Sequence, residues 1–249
     1  MSALPSPAAV PQPGLSTFAR IFGLFFSPKA TFEDIVRKPG WILPMALTLL
    51  FSLAAVIALN SHFSWRDYIS QQIEKSPGAA QLSPEEKERR VAISAKYSPV
   101  FAYVFGLMIP ICGLLVIALV LWGAFNVMAG AGADFTTSLA IVSHAVVPAS
   151  VVSTILFVTV LFLKPVGMFE LDNPVATNVA ALLPDDASKW LVALGKNIDL
   201  LELWKLILLA IGFAAVNPKK LKGGKALNIV FAMFLVYLVL RVGIAFAFS

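Results

Sequence analysis

A few polar side chains stand inside otherwise apolar stretches, and their types could do chemistry. In "SLAIVSHAVVPASVVSTILF" (Ser138 to Phe157) an imidazole, His144, is followed four residues later by Pro148. Proline has no N–H, so the carbonyl of His144 loses its helical donor. An unpaired acceptor then sits beside a titratable ring, and neighbouring side chains or water must satisfy both if the segment lies in lipid. Three roles stay open for His144: a helix kink held by an interhelical hydrogen bond, a proton or substrate relay, or recognition of a partner. Asn126, Arg241 and the Glu202/Lys205 pair are the other candidates. An ionisable group inside a span is a functional-site hypothesis by default, since Arg, Lys or Asp costs about 2.5–3.5 kcal/mol at the centre. Glu202 and Lys205, at i and i+3, start an apolar run and read as an interfacial pair. Arg241, about eight residues and roughly 12 Å of helix from the C-terminus, either snorkels to the outer surface or meets a partner. Asn126 reads as a hydrogen-bond donor across helices.

No catalytic constellation accompanies them. HExxH, GxSxG, a P-loop, a CxxC pair and a Gly-rich dinucleotide loop are all missing, and two histidines, His62 and His144, are too few for a His-based metal site. The reading is non-enzymatic, with no catalytic residue, metal or cofactor. The lone Cys112 excludes an internal disulfide framework and reads as a small buried hydrophobe.

The elements that must position these residues are membrane helices. Of 249 residues, 59% are hydrophobic and 13% charged, with a mean hydropathy of +0.84. Soluble domains are about 45–50% apolar and about 25% charged. The net charge of +5 comes from lysines and arginines that flank apolar runs, which argues for bilayer anchoring and against nucleic acid. Crossing the hydrocarbon takes roughly 20 apolar residues. Five runs qualify: Ile42–Leu59, Val100–Met128, Thr137–Leu163, Leu200–Val216 and Ala226–Phe248. The expected fold is an all-α integral membrane protein with five transmembrane helices, on residues 15–249, after a disordered Pro- and Ala-rich tail at 1–14.

Phe18, Ile21, Phe22 and Phe25 share one face of a helix that Ser16 could cap, and Phe32, Ile35 and Val36 share one side of a second. Both predict interfacial amphipathic helices at the N-terminus, along the headgroups or docked on the bundle. In the first loop, Ser83-Pro84-Glu85-Glu86 opens a charged helix with a capping box and i, i+4 pairs Glu85/Arg89 and Glu86/Arg90. The third loop predicts a short helix near Asp185–Leu194. Asp134 or Thr136 caps the third span after the "MAGAGADF" turn. Gly106, Gly113, Gly123, Gly130 and Gly132 suggest close helix packing. With the N-terminus inside, the inner flanks hold eight basic residues and the outer loops nine. The "NPKKLKGGK" loop concentrates four lysines at span ends, which favours N-terminus cytoplasmic and C-terminus outside.

The "FFSPKATFEDIVRKPGWILP" segment, the Gly-rich turn with Asp134-Phe135 before "SLAIVSHAVVP", the five spans and the lysine-rich last loop together resemble the Yip (Ypt-interacting protein) domain family, bacterial branch. The resemblance runs from about Leu15 to Phe248. Eukaryotic members carry Gly-Tyr-x-x-x-Pro in a membrane helix; here Ser143 and His144 replace the pair and Pro148 matches. Their Asp-Leu-x-Gly-Pro motif ahead of the first span is matched by Pro39 and Trp41 in the run-in, without the Asp-Leu pair. The Rab-type GTPase partner of those relatives is therefore not carried over. The absence of catalytic constellations and the amphipathic run-in point to a membrane scaffold or protein-interaction module in a bacterial inner membrane, with the bilayer and a membrane-protein partner or a second copy as its contacts. The alternative is a small transporter or channel subunit, which needs His144, Asn126 and Arg241 on one wet cavity.

Overall fold

A computed structural model describes residues 14–165, 169–184, 186–222 and 224–247. The expected tail, apart from Gly14, lies outside the described residues, as do Asp185 and Phe248. The helices are α1 (Thr17–Phe26), α2 (Pro28–Arg37), α3 (Ile42–His62), α4 (Trp65–Glu74), α5 (Pro84–Ala129), α6 (Phe135–Leu163), α7 (Lys189–Asn197), α8 (Leu200–Val216) and α9 (Lys225–Ala247), with short 3₁₀ turns at Ala79–Gln81 and Val179–Leu182. Among the described residues, α3, α5, α6 and α9 are long and apolar enough to cross a membrane. α8, with 17 residues, is about 25 Å long and falls short of the roughly 30 Å hydrocarbon layer.

The charged helix and the second apolar run are one element. α5 is a 46-residue helix that continues through Pro99 and Pro110, about 69 Å in all. Its start is the predicted capping box, Ser83 Oγ accepting from the Glu86 N–H at 3.2 Å and Glu86 accepting from the Ser83 N–H at 3.0 Å. The Glu85/Arg89 and Glu86/Arg90 pairs do not form among the described residues. Glu86 turns back to its cap instead, and α4 supplies the ionic partners: Arg66 pairs with Glu88, and Lys87 with Glu74 at 3.1 Å.

α6 is the centre of the bundle, packed by α3, α5, α8, α1 and α2. From Thr137 to Pro148 every residue is buried except the half-buried Val146. That explains why this stretch has no polar face: a helix surrounded on all sides is apolar all round. Asp134 caps it, accepting from the Thr137 N–H at 2.6 Å and the Thr137 hydroxyl at 3.0 Å. Two connections share one end of the bundle. Gly130 terminates α5 with φ +55°, where only glycine sits without strain, and its carbonyl accepts from Lys220 Nζ at 2.7 Å. Asn217 reaches the Ala131 carbonyl at 3.4 Å. At the other end the His62 ring lies 4.9 Å from that of Phe162, and Phe63 meets Phe169.

Where lipid supplies no hydrophobic drive, helices associate through close fit. At Gly106 an added Cβ would stand 2.5 Å from Val56 Cγ2, and Ser52 donates to the Gly106 carbonyl at 2.5 Å, joining α3 to α5. At Gly212 a Cβ would meet Ile141 at 2.5 Å and Phe32 at 2.9 Å, where α8, α6 and α2 converge. Phe125 of α5 and Phe213 of α8 stack at 4.2 Å. Gly113 and Gly123 have nothing within 4 Å of such a Cβ, so they are not packing glycines. Cys112 is exposed on α5 rather than buried.

α1 and α2 form a hairpin docked along α8. α2 buries Phe32 and Ile35 completely, and Phe25 of α1 meets Trp204 edge-on at 5.6 Å. The expected single apolar face of α1 divides in two: Ile21, Leu24 and Phe25 turn to the bundle, while Phe18, Phe22 and Phe26 stay 66–84% exposed. α7 starts at Lys189, a few residues later than expected, after the Ser188 cap position.

Candidate functional site

Two polar centres interrupt the apolar bundle, and the more buried one was not among the sequence candidates. Arg20 lies on α1 and Asp34 on α2, 7% and 3% exposed. The Arg20 Nε–H donates to Asp34 Oδ2 at 2.8 Å, one Nη donates to the Lys38 carbonyl at 3.0 Å, and the other to the Asp34 carbonyl at 3.4 Å. Arg37 donates to the remaining Asp34 oxygen at 3.1 Å. The guanidinium thus closes the hairpin and holds the chain entering α3. A signal existed: each charge interrupts the apolar side of its short helix, Arg20 between Phe18 and Ile21, Asp34 between Phe32 and Ile35. Opposite charges on facing apolar sides are tolerated only when paired.

His144 is fully buried in the same half of the bundle. Its Nδ1 stands 2.8 Å from the Ala140 carbonyl, which can only accept, so the proton is placed on Nδ1. Ser143 Oγ donates to that carbonyl too, at 3.1 Å. Nε2 then offers a lone pair that meets no hydrogen-bond partner among the described residues. Pro148 lies inside a continuous α6, so the ring serves the backbone one turn before it.

The second centre is at the start of α8. Asp199 caps it, Oδ1 accepting from the Leu201 and Glu202 N–H groups at 2.8 and 3.1 Å and Oδ2 from the Thr177 hydroxyl at 2.5 Å. Lys205 donates to Glu202 at 2.6 Å, the two side chains 18% and 29% exposed. The pair separates a cavity of about 530 Å³ between α5, α8 and α9 from one of about 450 Å³ against α6 at Ser150 and Ser153. The connection before α7 folds back beside the middle of α6, with Phe169 on Phe157. It is also joined to α4, where Tyr68 donates to Asp172 at 3.4 Å; burial and then the Asp172 carboxylate push the phenol above its usual range.

The remaining candidates lie apart. Asn126 closes the turn after its own helix, donating to the Ala133 carbonyl at 2.9 Å and accepting from the Ala133 N–H at 3.0 Å, with Trp122 Nε1 on the same carbonyl. It is a turn clamp and not a cross-helix donor. Arg241 is exposed on α9. Trp41 packs on the core beside an exposed Pro39. His144, Asn126 and Arg241 line neither cavity.

The described residues are helical, and four of their helices are long and apolar enough to cross a bilayer, which makes the chain an integral membrane protein in contact with lipid. The family model of the Yip1 domain matches residues 22–243, and the chain belongs to that family. No curated protein and no solved structure matches the chain.

Proposed function

We propose that this Yip1-domain protein is a non-enzymatic membrane scaffold or protein-interaction module whose contact surface is the α1–α2 hairpin. The observation that carries the reading is the exposed row of Phe18, Phe22 and Phe26 on a hairpin fixed by Arg20 and Asp34. Aromatic side chains held rigidly are good anchors for a partner, because little conformational entropy remains to be lost. In this reading α8 is a fifth, short span, bordered by α2 and preceded by α7, and the hairpin lies at the membrane interface. Five spans with the lysine-rich 217–225 connection inside put the N-terminus in the cytoplasm and the C-terminus outside. The partner is a second membrane protein or another copy of the chain.

In cells treated with a membrane-permeable crosslinker, the wild-type chain should run as a discrete adduct that a Phe18→Ser/Phe22→Ser variant loses at unchanged protein level. An adduct that persists in the variant, or none in the wild type, would refute the assignment.

A further inference from the structure

We propose that the cavity between α5, α8 and α9 is a phospholipid site, with an acyl chain between α5 and α9 and the phosphate at Lys196. At about 530 Å³ the space falls within the roughly 300–1,000 Å³ of small-molecule pockets. Its walls are apolar, among them Val116, Val120, Phe234 and Tyr237. Val116, Val120 and Tyr237 are exposed on helices that cross the bilayer, so the opening faces lipid tails rather than water.

One end of the cavity is different. Lys196, Asp199, Glu202 and Lys205 line it, and the same four residues line the polar cavity against α6. Three of them are engaged: Asp199 by the α8 N–H groups and Thr177, Glu202 and Lys205 by each other. Lys196 is half-buried and makes no ion pair among the described residues. An apolar slot open to the membrane that ends at an ammonium making no ion pair among the described residues, with a more polar chamber beyond it that also holds Asp172, matches an amphiphile whose phosphate takes the place of that missing partner. The polar cavity of about 450 Å³ gives the headgroup its place.

The test uses the full chain reconstituted in phosphatidylcholine vesicles with a trace of phosphatidylglycerol carrying a diazirine in its acyl chain. After illumination, label should concentrate on peptides holding Val116–Leu121 and Met233–Tyr237. Unlabelled phosphatidylglycerol should compete about five-fold better than diacylglycerol of the same chains, the value of one lysine near an acidic lipid. Lys196→Gln should erase that preference. Gly113→Leu should remove the label, because Gly113 lines the cavity and an added Cβ meets nothing within 4 Å, and its midpoint of unfolding in detergent should match that of the wild type. Excess inorganic phosphate should leave labelling unchanged. Label spread evenly over the exposed faces of α3 and α6, retained in Gly113→Leu, displaced by free phosphate, or competed equally by diacylglycerol would each overturn the proposal.

Discussion

The Arg20–Asp34 centre and the Asp199–Glu202–Lys205 centre use the same chemistry to opposite ends. In the first, both ions are nearly dry, with the guanidinium spread over one carboxylate oxygen and two carbonyls and Arg37 on the other oxygen. Nothing is left over, so the centre fixes a hairpin. In the second, the pair is partly exposed, borders two cavities and stands beside Lys196, which makes no ion pair among the described residues. A centre with capacity to spare can receive something. Enclosure, more than charge, is what distinguishes the two centres.

The strongest way to break the comparison is to remove one ion from the closed centre. Arg20→Met should cost several kcal/mol, approaching the roughly 3–5 kcal/mol of a broken buried pair, by leaving Asp34 buried with only the largely exposed Arg37 as its ionic partner, measured as lost stability in a denaturant series in detergent. The open centre should respond far less: Glu202→Gln should cost no more than about 1 kcal/mol by the same measurement. Between them stands the junction that seats the hairpin on α8. Gly212→Ala should cost about 1–3 kcal/mol, since the new methyl meets Ile141 and Phe32 at contact distances too short to absorb, whereas Gly123→Ala should be near neutral. His144→Leu sharpens the contrast with the smallest expected effect. It removes a hydrogen bond to Ala140 but also the unpartnered Nε2, and these nearly cancel within about 1.5 kcal/mol. A loss as large as that of Arg20→Met would mean that the imidazole's fit among its buried neighbours outweighs its hydrogen bonding.

Much of this was legible from the residues. Hydropathy located the apolar helices, and Ser83-Pro84-Glu85-Glu86 and Asp134 marked helix starts, because caps are local and their partners sit three residues away. Long-range pairing was not legible. Arg20 and Asp34 each interrupt the apolar side of a short helix, but nothing local says that the two face each other until the hairpin brings them together. The α1 stripe looked like one face, yet neighbours on a helix 100° apart can turn to the bundle and to the outside, as Ile21 and Phe22 do. The depth of Asn126 in an apolar run points to partners on other helices, whereas it bonds to the turn that follows its own. Of the glycines named for close packing, Gly106 does pack and Gly113 does not, while Gly212 packs without having been named; they differ only in what another helix places opposite them.

The central claim, that the hairpin presents its phenylalanines to a protein, is tested most directly by a photoreactive amino acid placed at Phe22 in living cells, with Leu240 on the exposed face of α9 as the control. The account predicts a discrete protein adduct at position 22, lost when Arg20→Met is added, and only lipid adducts at position 240. Lipid adducts alone at both positions would contradict it.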